Sequence, residues 1–133
     1  MSEVAKLSTR VQLPSSRKPR VLILGDKRKS EVPRLARKLK EFLREKTHIV
    51  GVDLRRSRAK IKGSLDLVLV LGGDGAILAA SHRLDGKRVP VMGINFGSVG
   101  FLAAVAPERA EATLSQVLDG AGRCENRAMM RVQ

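Results

Sequence analysis

Apolar residues enter this chain in two patterns that alternate: short unbroken runs, and stripes at helical spacing. Val21-Leu22-Ile23-Leu24 is a run closed by Gly25-Asp26, and it predicts a buried strand. Val32, Leu35, Ala36, Leu39, Phe42 and Leu43 then recur on one helical face, with Arg34, Arg37, Lys38 and Lys40 off the stripe. Ser30 stands where a helix cap is expected, and Pro33 is tolerable in a first turn. Residues 47–52 predict a second, short strand, and residues 53–64 a basic connector or weak helix. Residues 65–71 form the clearest strand, continuous rather than alternating, as a strand covered on both faces should be. A helix over 75–84 and a short strand over 89–94 follow. Pro107 opens a further helix with Ala110, Leu114, Val117 and Leu118 inside, and Asp119-Gly120-Ala121-Gly122 ends it. Strands alternating with helices predict an α/β fold, a parallel sheet flanked by helices.

Composition narrows this picture. A length of 133 residues suits one domain, and 43% hydrophobic with 29% charged residues is a globular balance. No apolar stretch approaches the roughly 18 residues that span a bilayer, so no membrane association is expected. The N-terminus lacks the apolar core of a secretory signal, and Glu3, Pro14 and Pro19 spoil a transit-peptide pattern. The single Cys124 cannot pair within the chain, which suits a reducing cytoplasm. A nucleophile's role for Cys124 is not expected, and His48 and His82 lack metal-ligand spacing.

The net charge of +13 falls wholly in residues 1–62, where 19 Lys and Arg face 6 Asp and Glu. Such an excess attracts polyanions. With no Trp or Tyr and only Phe42, Phe96 and Phe101, the chain lacks the stacking residues of single-strand binders, and nucleic acid is not the expected partner. Residues 1–20 predict a flexible basic tail, and the other charges mainly the wet face of the first helix.

The candidate chemistry lies at two glycine-rich segments that follow buried strands. Gly72-Gly73-Asp74-Gly75 lets a ligand approach the main chain and opens a helix whose N–H groups favour a phosphate. Asp74 could hold a metal, accept a proton from an attacking hydroxyl, or cap the helix. The second segment runs Gly93-Ile94-Asn95-Phe96-Gly97-Ser98-Val99-Gly100-Phe101-Leu102. In doubly wound folds both would lie at the carboxyl ends of the strands and line one crevice. Asn95 suits a ligand contact or a turn equally, and Phe101 a ligand contact or the core. Neither segment is a Walker A loop or an ordinary Rossmann fingerprint.

Leu71 to Gly75 with Ile77-Leu78, followed by residues 90–97 and Val99-Gly100-Phe101-Leu102, resembles the NAD kinase family. Phosphofructokinases and the diacylglycerol and sphingosine kinases share the first motif; the second selects NAD kinases among them. Residues 125–130 resemble the family's entry into a second domain. The resemblance implies a Rossmann-like, phosphofructokinase-like N-terminal domain over 21–122. It also implies ATP-dependent phosphorylation of the 2′-hydroxyl of the adenosine ribose of NAD, with Asp74 as the base. Gly72, Gly73 and Gly75 would shape the nucleotide pocket, and Asn95, Gly100 and Phe101 would contact the cofactor. Mg²⁺ or another divalent cation would come with ATP, polyphosphate is an alternative donor, and the full-length form would be a homo-oligomer.

This chain departs from the pattern in having Ala76 where most relatives have Thr, and Ala79 where many have a basic residue. The family's all-β second domain would begin near 123, so residues 123–133 would hold only its start, and the chain alone is expected to show little turnover. The alternatives are a non-catalytic nucleotide- or polyanion-binding module and a lipid or sugar kinase of the same superfamily. The lipid kinases continue differently after the Asp than Ala76-Ile77-Leu78-Ala79-Ala80 does.

Overall fold

The computed structural model describes residues 8–96, 105–121 and 123–125. In chain order the described elements are β1 (Ser8–Arg10), β2 (Arg20–Gly25), α1 (Glu31–Leu43), β3 (His48–Asp53), β4 (Leu67–Leu71), α2 (Asp74–Leu84) and β5 (Val91–Ile94). A 3₁₀ turn at Pro107–Arg109 leads into α3 (Ala110–Leu118), and β6 (Arg123–Glu125) follows. The main sheet has the order β3-β2-β4-β5 with every pairing parallel. The expected α/β architecture is therefore present.

Why the runs are unbroken is visible in where alternate residues go. Val21 and Ile23 of β2 and Leu67, Leu69 and Leu71 of β4 point to one face, where Val32, Leu35, Leu39 and Leu43 of α1 and Leu114 of α3 meet them. Leu22, Leu24, Val68 and Val70 point to the other, against Ile77, Ala80 and Leu84 of α2. β2 and β4 each have two apolar partners, so neither set of their alternate positions can be polar. All five residues of β4 are buried.

Two expectations change, and one open alternative resolves to the connector. Ser30 occupies the N-cap position of α1, but its backbone is already helical (φ −57°, ψ −30°) and it makes no side-chain capping bond. The segment 53–64 holds no helix beyond the end of β3. Its backbone is fixed from outside: Ile61 N–H donates to the Arg83 carbonyl at 2.8 Å, and Arg83 Nε donates to the Ala59 carbonyl at 2.9 Å. Residues 8–20 differ from a plain tail. β1 pairs antiparallel with β6, Ser8 opposite Glu125, and Val11 is buried in the core.

Asp66 secures the end of that N-terminal segment. Its carboxylate accepts from the Arg20 N–H at 2.7 Å and from both terminal nitrogens of Arg17, at 2.7 and 3.2 Å. The Asp66 N–H also donates to the Arg20 carbonyl at 2.9 Å, so β4, which begins at Leu67 rather than at Leu65, is tied to β2 at its start. The Arg17 bonds hold the Asp66 pKa below its ordinary value, against burial, which pushes it up. A carboxylate depressed in the folded state stabilises the fold above its unfolded pKa of about 3.9, and that contribution is lost as pH falls through the folded value. Melting temperature should therefore drop below about pH 4. Asp66→Asn should lower it at pH 7 and show a smaller further drop in acid, both read by circular dichroism. An unchanged acid limb in the variant would remove Asp66 from the account. Among the described residues no helix is long and apolar enough to cross a membrane.

Candidate functional site

The chain leaves β4 and β5 at the same edge of the sheet, so their loops meet. Gly72 N–H donates to the Ile94 carbonyl at 2.8 Å, which ties the first loop to the end of β5. A Cβ at Gly72 would lie 2.8 Å from the Ala76 Cβ, a separation real side chains do not reach. Glycine at 72 is therefore required by the close return of the first turn of α2, and the small Ala76 is the other half of that fit. A Cβ at Gly73 would lie 3.7 Å from Asn95 Oδ1. The side chain of Asn95 is thus a neighbour of the motif, as expected from two loops sharing one edge.

Gly73 is the N-cap of α2 and accepts its first helical bond, from Ile77 N–H at 3.1 Å. Asp74 is one position further in, at the start of the helix and half-buried. The cap position is therefore not Asp74, although a negative charge in the first turn still favours the helix. Gly75 is exposed. Asn95 N–H donates to the Val105 carbonyl at 2.9 Å, and Ile94 forms a parallel bridge with Val105. Gly100 and Phe101 lie outside the described residues.

On the far side of Gly75 a cleft of about 690 Å³ opens, and the sequence had not suggested it. Its floor is Leu24 and Gly25 from β2 and Val70 and Leu71 from β4; Gly75, Ala76, Ala79 and Ala80 of α2 form a wall. Arg28 and Lys29 after β2, Arg55, Arg56 and Arg58 after β3, and Arg83 of α2 also line it. These charges come from three loops or elements far apart in sequence. A parallel sheet sends the loops after β2, β3 and β4 to one edge, and that topology was the available signal.

Two carboxylates moderate the charge. Asp26 accepts a forked pair from Arg28, Nε at 3.1 Å and the terminal nitrogen at 2.8 Å, which holds its pKa at about 2. Asp53 is pushed up by burial, but bonds from Arg55 and Arg83 outweigh this and keep it below its usual value. Both are anionic at neutral pH. Among the described residues Lys29 and Arg58 have no acidic partner within 4.0 Å. The described residues also hold no group of three His, Cys, Asp or Glu placed to cage a metal.

The profile of the ATP-NAD kinase N-terminal domain matches residues 21–122. The NAD kinases of Pseudomonas putida strain GB-1 and Pseudomonas entomophila strain L48 are each 37% identical to this chain over 123 residues. Each alignment covers 84% of this chain and 42% of the relative, so the chain spans well under half the length of those proteins. The crystal structure of yeast NADH kinase complexed with NADH is similar in fold, with a TM-score of 0.58 at 15% identity. That match covers 88% of this chain and 45% of the yeast chain.

Proposed function

The chain belongs to the ATP-NAD kinase N-terminal domain family, and from that membership we propose that it is the base-bearing part of an NAD kinase. The reaction joins the 2′-oxygen of the adenosine ribose of NAD to the terminal phosphorus of the donor. The phosphorus–oxygen bond to ADP breaks, and the hydroxyl proton passes to Asp74. Phosphoryl transfer asks a protein mainly for positioning and charge neutralisation. The observation that carries the proposal is the place of Asp74: first in α2, between Gly73 with its neighbour Asn95 and Gly75 with the basic cleft.

The glycines keep this loop close to the sheet edge, and Asn95 offers an amide beside it for the nucleotide that brings the hydroxyl. Mg²⁺ is commonly held by one or two carboxylates plus substrate phosphates. Such a cation would come in on the phosphates of the donor, and Asp74 would take the hydroxyl proton. Bound there, the cation would offset the charge that builds on the transferred phosphoryl group.

The test is a chimera in which residues 21–122 replace the matching part of the Pseudomonas putida NAD kinase. NADP is read with an NADP-dependent dehydrogenase. Formation of NADP that requires both ATP and NAD is expected. The 133-residue chain by itself should give little, because both reactants must be held at near-attack distance and the chain spans 42% of its relatives. A folded chimera that makes no NADP, beside an active parent, would sink the proposal.

A further inference from the structure

We propose that a cavity at the amino edge of the sheet binds a small zwitterion, an α-amino acid with an aliphatic side chain. Lys46 takes its carboxylate and Asp119 its ammonium group. The cavity lies where β2 begins and where α1 and α3 end, whereas Asp74 opens α2 at the opposite edge. A ligand here stands apart from the reacting groups, and its binding does not rest on the kinase reading.

The position follows from topology. α1 and α3 cover the same face of a parallel sheet and run back against the strands, so both end at the edge where the strands start. Higher up the two helices are tied, Lys38 to Glu111 at 3.4 Å. Past their last turns the space is lined by Leu13, Pro14 and Ser15 of the segment before β2, by Lys46 after α1, and by the end of α3. Each part is fixed. Val11 is buried in the core, and the Pro19 carbonyl accepts from the His48 N–H at 2.8 Å. Gly120, at φ +85°, ends α3 with its N–H on the Val117 carbonyl at 3.1 Å. The volume, about 500 Å³, is within the range of roughly 300–1,000 Å³ usual for small-ligand sites.

The chemistry follows from the lining. Among the described residues, Lys46 and Asp119 are the charged members of the cavity, and neither has an oppositely charged partner within 4.0 Å. Two opposite charges that share a cavity without pairing leave room for a ligand that carries both. Lys46 is held in place, its Nζ 4.4 Å from the centre of the Phe42 ring, in a cation–π contact. Asp119 follows α3 directly, and the carboxyl end of a helix favours a cation through its macrodipole. Leu13, Pro14, Val117 and Leu118 supply the apolar surface for an aliphatic side chain, and Ser15 and Ser115 add hydroxyls for its charged groups. One lysine beside one aspartate does not suit a polyanion. Among the described residues no aromatic ring lines the cavity, so a nucleobase finds nothing to stack on.

Titration of the 133-residue chain with L-leucine, followed by amide NMR shifts, tests this. Three analogues each lack one part: isocaproate the ammonium, isoamylamine the carboxylate, and glycine the side chain. L-Leucine should saturate in the millimolar range or below, with shifts at Ser15, Lys46 and Asp119. Each analogue should bind at least about tenfold more weakly. Lys46→Met and Asp119→Asn should each weaken L-leucine at least about fivefold. Lys46→Met should leave isoamylamine unchanged, and Asp119→Asn should leave isocaproate unchanged. Both residues are exposed, so unchanged melting curves are expected. The control, Lys40→Met with Glu41→Gln on the exposed face of α1, removes one charge of each sign elsewhere and should keep the affinity. Absence of saturation below about 50 mM L-leucine would overturn the proposal. So would any analogue that matches L-leucine, or a control loss equal to those at the cavity. Should a variant fail to fold, the analogue series on the parent chain still decides. A chimera without NADP formation would not touch these results, and a cavity without L-leucine would leave the role of Asp74 standing.

Discussion

Asp74→Asn is expected to lower kcat for NADP formation in the chimera by about 10²–10⁴-fold, the usual contribution of a positioned base. The substitution keeps the size and removes the charge and basicity. Its structural cost should be small, because a carboxylate in the first turn of a surface helix contributes about 0.3–1 kcal/mol through the helix dipole. Asp74 stands at that first position, after Gly73 has taken the cap. A purely structural Asp74 would therefore show a small loss of melting temperature with kcat nearly unchanged. A base shows the reverse: near-parental stability, a collapsed kcat and loss of the acid-side limb in the pH profile of kcat. A metal contact differs again, since added Mg²⁺ would restore much of the rate. A variant within about threefold of the parent in kcat would remove Asp74 from the chemistry.

Leu69→Ala should destabilise the fold by about 2–5 kcal/mol. Leu69 has no exposed surface, is the middle residue of β4, and pairs with β2 on one side and β5 on the other. Its side chain lies in the cluster shared by α1 and α3. The sheet cannot collapse into the hole without moving strands that other side chains hold in register. Against a total stability of about 5–15 kcal/mol, this is a large fraction. Urea unfolding followed by circular dichroism should show a lower midpoint with an unchanged slope. Val50→Ala, at a side chain 46% exposed on the edge strand β3, should stay within about 0.5 kcal/mol. Equal shifts for the two would contradict the layered core.

The central strands and helices were legible because their signals are local. The run ending at Leu71 and the stripe Val32 to Leu43 each contain the reason for their own burial. The meeting of Gly72–Gly75 with Asn95 was legible too, since parallel strands deliver their following loops to one edge. What was hidden depends on partners distant in sequence. Asp66 reads as an intrusion into an apolar run, and only Arg17 and the Arg20 N–H explain it. Ser8–Arg10 has no pattern of its own and is a strand only against Arg123–Glu125. The arginines after β3 look like a solvated connector until Arg83 fixes them beside α2. Asp74 as cap or first helical residue differs by a single position, finer than sequence patterns locate a helix end.

The pairing of β1 with β6 has a kinetic side. Every pairing in the main sheet is parallel and so joins distant residues, Val68 with Val91 in β4–β5 and Arg20 with His48 in β2–β3. Ser8 with Glu125 is far more distant and encloses the whole sheet. Loop-closure entropy grows with the logarithm of length, so closing this ribbon from an open chain costs about 1.3 kcal/mol more than bringing β2 to β3. High contact order of this kind slows folding. The ribbon gains most when the sheet between its strands has already shortened that loop. Its two strands then act as a clasp, set last over a domain that has assembled without them.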